Sequence, residues 1–297
     1  MKKSIFSIQF ILLTLSGFSQ YIDQSYFQVV ERGWQTEGNI NLTLSQVYLS
    51  NWVGGGQASI SVGSMFNYTA NYRRGPITWR NNIEATYGLM RQGEQQMFRK
   101  TDDYLILRSQ YGRRINDNLK ITTIMDFRTQ FTKGWNYNET GRTNLISDLM
   151  APGFLQFSLG LTYSKQEFYT VTFSPIAGKF TFVLNDSLSA IGAFGVNEGQ
   201  RLRAEGGTSF RGTFQKDIFE NVRLRSNLLL FSNYSRIQNV DVNWEAFLIM
   251  RINKYITSNI SAQLIYDDDI RIMHEDGTET AEVQFKNVIN IGFAFEF

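Results

Sequence analysis

A two-residue hydropathy period, sustained over unusually long segments, constrains this chain more than any other feature. In "ASISVGSMFNYTANYR" the apolar set is Ile60, Val62, Phe66, Tyr68, Ala70 and Tyr72, against Ser59, Ser61, Gly63, Asn67, Thr69, Asn71 and Arg73. "LKITTIMDFRTQF" sets Leu119, Ile121, Met125, Phe127 and Phe131 against Lys120, Thr122, Asp126, Arg128 and Gln130. "VDVNWEAFLIMRI" sets Val240, Val242, Trp244, Leu248, Met250 and Ile252 against Asp241, Asn243, Glu245 and Arg251. The chain finishes on "INIGFAFEF", with Ile289, Ile291, Phe293, Phe295 and Phe297 on one face. Successive strand residues point to opposite sides, so each segment is a strand with one apolar and one polar face.

Alternation also occurs in soluble sandwiches, and three further features separate the two. Many segments run to about 11–16 residues, whereas globular strands average five or six and a tilted membrane-spanning strand needs about 9–11. The polar faces carry charge, chiefly arginine, along most of their length, which suits a closed barrel with a wet or ion-paired interior. Tyr68, Tyr72, Trp79, Tyr163, Tyr234, Trp244, Tyr266 and Phe297 cluster near strand ends on the apolar face, the pattern of an interfacial aromatic girdle. Without membrane-spanning helices, only a closed barrel satisfies every backbone group in lipid. The expected fold is therefore all-β: a transmembrane antiparallel up-and-down β-barrel of about twelve strands.

The expected strands are 38–48, 57–74, 77–91, 102–114, 118–133, 153–164, 167–174, 201–215, 219–235, 240–253, 256–267 and 282–297. The stretch 180–196 could add a hairpin and make fourteen. Connections such as "RGP", "INDN" and "NKY" are short, and they alternate with long ones such as "KGWNYNETGRTNLISDLMAPG". Short periplasmic turns and long outer loops are the building rule of such barrels. Pro76, Pro152 and Pro175 fall in expected connections, as strand geometry favours. The terminal strand is expected to close the ring, and Phe293, Phe295 and Phe297 form the signal that the barrel-assembly machinery reads.

Residues 1–19 read as a signal peptide: Lys2 and Lys3, then an apolar stretch from Ile5 to Leu15, then small residues before Gln20. Residues 20–37, including Trp34, are expected to form a periplasmic arm or to tuck into the lumen, with the barrel spanning 38–297. There are 29 Lys and Arg against 27 Asp and Glu, so without Lys2 and Lys3 the charges balance. That balance gives no support to a nucleic-acid partner. The absence of cysteine excludes disulfides, thiolate metal sites and a cysteine nucleophile.

"LSQVYLSNWVGGGQASIS", "FRKTDD" (98–103), "DFRTQFTKGWNY" (126–137), "ISDLMAPGFL" (146–155), "SPIAGKFTF" (174–182) and "GAFGV" (192–196) together resemble a Bacteroidota outer-membrane family of unknown function. The resemblance implies an outer-membrane β-barrel and brings no catalytic residues. Its motifs sit mostly in or beside the long connections, at Asn51, Trp52, Gly54, Gly55, Asp102, Asp103, Trp135, Gly178 and Phe194. They read either as loop packing across the barrel mouth or as a surface for a ligand or protein partner.

His274, the single histidine, lies in "DDDIRIMHEDG" beside Asp267, Asp268, Asp269, Glu275 and Asp276. Barrel proteolysis needs carboxylates converging from opposite walls, and here they share one loop, which reads as solvated and acidic. No cofactor or metal is expected. The inward stripe carries Arg73, Arg80, Arg128, Arg201, Arg203, Arg211, Arg223, Arg225 and Arg251, with Glu84, Asp126, Glu205, Asp241 and Glu245. Two readings stand: a lumen filled by paired charges in a structural or partner subunit of an envelope complex, or a small channel with mild anion preference. Neither is enzymatic. The partners expected are outer-membrane lipid, the assembly machinery and other envelope proteins.

Overall fold

The computed structural model describes residues 33–49, 57–93, 97–138, 141–165, 168–253, 255–268, 271–273 and 279–296. Within them the strands are β1 (Gly33–Val47), β2 (Ser59–Arg74), β3 (Ile77–Gln92), β4 (Arg99–Arg114), β5 (Leu119–Thr129), β6 (Gly134–Asn138), β7 (Gly141–Ser147) and β8 (Gly153–Lys165). They continue with β9 (Tyr169–Phe182), β10 (Leu202–Phe219), β11 (Val222–Asn233), β12 (Val240–Arg251), β13 (Ile256–Tyr266), β14 (Arg271–Met273), β15 (Glu279–Ala281) and β16 (Gln284–Glu296). A short helix, α1 (Asp186–Ala190), and a 3-10 turn at Ala193–Gly195 lie between β9 and β10.

Twelve strands close into a barrel in the order β1-β2-β3-β4-β5-β8-β9-β10-β11-β12-β13-β16, with β16 returning to β1. The neighbouring strands in this ring pair antiparallel, so the topology is up-and-down. The pairs β6-β7 and β14-β15 are hairpins outside the ring. Residues 180–196 finish β9 and form α1 and the 3-10 turn, so the fourteen-strand alternative does not arise. Turns at one end of the barrel are short, and β1 starts and β16 ends there. We call this the turn side, and the opposite end the loop side.

The two faces invert the pattern of a soluble protein. Val62, Ile121, Leu161, Phe173, Ile289 and Phe293 point outward and are exposed, whereas Thr122, Thr162, Thr172 and Thr181 point inward and are buried. Apolar exposure on this scale is stable only against lipid. At the turn side Trp34, Tyr72, Trp79 and Tyr111 occupy successive register positions across β1–β4 on the outer face. Trp34 packs on Tyr72 and Trp79 with ring centroids 5.2 and 5.4 Å away. Amphipathic rings of this kind settle at a membrane interface.

Two boundaries differ from the sequence expectation in ways that matter here. β1 begins at Gly33 rather than 38, so Trp34 belongs to the outer girdle and not to an arm or the lumen. β9 does not stop at 174 but runs to Phe182. Pro175 therefore lies inside a strand, where the register slips between Leu159 and Leu161 on one side and between Gly207 and Ser209 on the other. A bulge is where a strand tolerates a residue with no N–H to donate. Opposite it, Gly160 is hard to replace, since a Cβ there would stand 2.0 Å from the Phe173 carbonyl oxygen. The bulge also flips the phase: Thr170, Thr172 and Ser174 face inward before it, and Ala177, Lys179 and Thr181 after it.

Candidate functional site

The long connections build a lid at the loop side. Ala151, Val183, Leu188 and Val196 form a small buried core, with Leu145, Ala193 and Phe194 packed against it. Asn185 caps α1 by accepting from the N–H groups of Ser187 (3.1 Å) and Leu188 (3.3 Å), and it donates to Asp148 at 2.9 Å. The Leu184 N–H donates to the Met150 carbonyl at 3.0 Å, tying the two connections together. Gly192 has φ of 66°, and a Cβ there would lie 3.0 Å from the Val196 carbonyl oxygen, so the "GAFGV" turn needs a glycine at that position.

Asp103 and Lys100 pin the root of the connection after β5. Asp103 accepts from the N–H groups of Phe131 (2.7 Å) and Thr132 (2.9 Å), from the Thr132 hydroxyl (2.8 Å) and from Lys100 Nζ (2.8 Å). Lys100 also donates to Gln130 at 3.1 Å and to the Thr132 carbonyl at 2.9 Å. The Asp103 side chain is 1% exposed and its oxygens are engaged, so it serves packing rather than a ligand. Trp135 lies on β6 with the Arg142 guanidinium 5.8 Å from its ring. Asn51, Trp52, Gly54, Gly55 and Phe297 lie outside the described residues, as do Asp269, His274, Glu275 and Asp276.

Inside the barrel, the loop-side half is crossed by ion pairs. Asp126 on β5 accepts from Arg108 Nε on β4 at 2.5 Å and from Arg211 on β10, although β8 and β9 stand between β5 and β10. Lys179 on β9 reaches over β10 and β11 to Asp241 on β12 and to Asp267 just past β13, at 2.6 Å each. Asp102 on β4 pairs with Lys286 on β16 at 2.9 Å across the positions of β1, β2 and β3. Arg203 binds Glu205 at 2.9 Å and the Gly195 carbonyl at 3.1 Å, joining this wall to the lid. Glu205 also accepts from Asn233 at 2.9 Å. Glu84 accepts from the Tyr104 hydroxyl at 2.9 Å, Arg128 lies over the Tyr104 ring at 5.7 Å, and Glu245 accepts from Gln263 at 3.2 Å. Cations held against carboxylates away from water are stable only with such pairing.

The turn-side half differs. Arg73 and Arg80 face inward and are exposed, and Arg80 Nε donates to Asn71 at 2.9 Å. Arg225 stacks over Phe247 at 4.6 Å, and its Nε has no hydrogen-bond partner. Arg223 pairs with Asp217 at 2.6 Å near the turn-side rim, and Arg251 ends β12 there.

Two expectations are corrected. Arg201 is not a lumen residue: it precedes β10, is exposed, and pairs with Asp186 on α1 in the lid. Asp267 is not a solvated loop acid but is 7% exposed, bound to Lys179. The sequence reading missed Lys179, Arg108 and Lys286. Lys179 sat beyond an expected strand end. Arg108 lies where alternation is weak because Ile106 also faces inward, at the register position of Glu84.

These features define a class: a closed twelve-stranded antiparallel transmembrane barrel with an ion-paired interior under a packed lid. The chain is similar, over residues 44–135, to a family described as a protein of unknown function, DUF3078. No curated protein matches. Among solved structures, the COG4313 outer membrane channel from Pseudomonas putida F1 is similar at 12% identity and a TM-score of 0.43, covering 93% of this chain and 100% of that one. The NanC porin is similar at 9% identity and a TM-score of 0.41, over 86% of this chain and 98% of its own. The translocator domain of the autotransporter NalP from Neisseria meningitidis is similar at 9% identity and a TM-score of 0.41, over 92% and 91%.

Proposed function

We propose that this is a non-enzymatic outer-membrane barrel with a closed lumen, serving as a structural or partner subunit of an envelope complex. The ion pairs that cross the lumen, Arg211 to Asp126, Lys179 to Asp241 and Asp267, and Lys286 to Asp102, carry this reading. A conducting pore keeps its lining charges hydrated on their own walls, whereas side chains that meet across the interior occupy the path. The lid adds a second closure, and its outer surface presents Leu149 and Ile191 exposed. The turn side faces the periplasm and the lid faces outward, with other envelope proteins meeting the lid. Outer-membrane lipid covers the apolar face, and the assembly machinery reads the last strand, as in bacterial outer-membrane barrels generally.

The test is conductance. Purified barrel in planar bilayers is expected to show no steady channel, and gentle extraction is expected to bring other envelope proteins with it. Arg211→Ala, which shortens the side chain crossing the lumen, should raise the frequency of openings. A second reading, a small anion-preferring channel, is favoured by the cations of the turn-side half. Large, steady, anion-selective openings of the unaltered protein, with nothing co-purifying, would establish it instead. Location has its own check. Phe293→Asp with Phe295→Asp puts two acids on the exposed outer face of β16 and should deplete the protein from the outer membrane.

A further inference from the structure

Arg73, Arg80, Arg114 and Lys120 stand on four consecutive strands, β2 to β5, at the turn side of the barrel. Register places all four on the inward face. Arg73 lies opposite Thr78, Arg80 opposite Asn71 and Gln110, and Lys120 opposite Arg114 and Thr162. Arg114 and Lys120 are thus direct cross-strand partners of like charge, an arrangement that destabilises a sheet unless something offsets it. The Lys120 stem lies over Gly112, with its Cδ 3.7 Å from where a Cβ would project, and so leans toward β3. Arg73, Arg80 and Arg114 each act electrostatically on Lys120, so the four form one cluster. Their other register partners, Gly33, Thr78, Asn71, Gln110 and Thr162, carry no charge. Among the described residues no carboxylate is within ion-pairing distance of any of the four. On the far wall, Arg225 offers the partnerless Nε noted above.

We infer that this turn-side half of the lumen binds a phosphate-bearing polyanion, held by Arg73, Arg80, Arg114 and Lys120. The cations need a multivalent partner, because one monovalent anion leaves most of their charge unbalanced. Guanidinium forks suit phosphate oxygens bidentately, and a lysine adds a movable point charge. Strands about 4.7–4.9 Å apart put cations on neighbouring strands within reach of one phosphate group, and long side chains on all four strands within reach of a polyanion. Arg73, Arg80 and Arg114 are exposed, so a solute entering at the turn-side mouth reaches them. The inference goes beyond the closed-barrel reading and stands whether or not the barrel conducts.

The test uses the full barrel folded in zwitterionic micelles, titrated calorimetrically with sodium pyrophosphate at fixed ionic strength, with sodium chloride as the matched control. Saturable binding is expected for pyrophosphate and not for chloride. Arg80→Gln and Lys120→Gln should each weaken it by about tenfold or more, as for loss of a charge-assisted hydrogen bond. Arg201→Gln, outside the lumen, should leave it unchanged. Heat-modifiable mobility on gels checks that each variant is folded, and Arg80→Lys, which keeps the charge, should retain part of the affinity. Competition by phosphatidylglycerol added to the micelles would assign the phosphate to a lipid headgroup, and its absence would assign it to a soluble phosphate compound. No saturable binding, or binding indifferent to both Arg80→Gln and Lys120→Gln in folded protein, overturns the inference.

Discussion

Asp126 and Lys120 both face inward from β5, yet they keep opposite company. Asp126 meets a cation from the adjacent strand and another from across the lumen. Lys120 meets three arginines and no carboxylate. The same strand thus passes from charges paired away from water to a half-buried lysine among exposed arginines. The loop-side charges cannot be there singly, because an unpaired ion out of water is costly. The turn-side charges tolerate one another only because solvent or an anion screens them. On the closed-lumen reading proposed above, pairing across the lumen marks the closed part, and the β2–β5 wall of the turn side, which lacks it, marks the open part.

The comparison is broken most directly at Asp126. Asp126→Asn leaves Arg108 and Arg211 inside with no carboxylate between them. Removing one partner of a buried ion pair costs about 3–5 kcal/mol, and urea unfolding in lipid vesicles should show a loss of that order. A loss below about 1 kcal/mol, the scale of a surface pair, would mean that water already reaches this layer.

Lys179→Met comes next. It strands Asp241 and Asp267 beside each other, but both lie near the loop-side rim, where water can enter once the lysine is gone. The expected cost is therefore smaller, about 3 kcal/mol, the lower end of the range for a broken buried pair. The double variant Lys179→Met with Asp267→Asn should recover part of it. An unrecovered loss would show that Lys179 acts through packing on Phe231, whose ring lies 5.9 Å away.

How far the sequence reveals these two halves depends on phase. The barrel itself was legible, because the outer faces of β2, β3, β5, β12 and β16 stay apolar at most positions, broken only by single residues such as Ser64, Asn81, Thr123 and Asn287, and lipid demands that they do. Arg73, Arg80 and Asp126 could be placed inward for the same reason. Lys179 could not: the bulge at Pro175 reverses which residues face the lumen, so a reading in constant phase ends the strand at 174. Arg201 failed differently, since it continues the phase of β10 but lies one residue before the strand begins. Pairing across the lumen was also out of reach. Arg211 and Asp126 are joined by the closure of the ring, and nothing local in either segment names the other. Asp103 was legible as part of a motif, while its use as an anchor for Phe131 and Thr132 depends on where the connection after β5 folds back.

Lys286→Gln tests the rim of the loop-side half. The Lys286 and Asp102 side chains are 44% and 22% exposed, so their pair is screened and should contribute about 0.2–1 kcal/mol. A double-mutant cycle with Asp102→Asn isolates that coupling. A value well above this range would extend the dry, paired region to the edge of the barrel.

The smallest effect is expected on the turn side, and its sign matters more than its size. Arg80→Gln removes one cation from a cluster that also holds Arg73, Arg114 and Lys120, and it keeps a hydrogen-bonding group near Asn71. Exposed substitutions away from a buried feature usually stay within about 0.5 kcal/mol, and relief of repulsion should push this one toward stabilisation at low salt. Added salt screens the repulsion in both proteins, so the difference should shrink as salt rises. Pyrophosphate should reverse it, because an anion that binds only the folded unaltered barrel stabilises that protein in proportion to its occupancy. Urea unfolding of both proteins, with and without pyrophosphate at matched ionic strength, reads all three trends. Destabilisation by Arg80→Gln at every salt concentration would instead place a paired, closed layer at the turn side, and the contrast between Asp126 and Lys120 would no longer separate the two halves of the lumen.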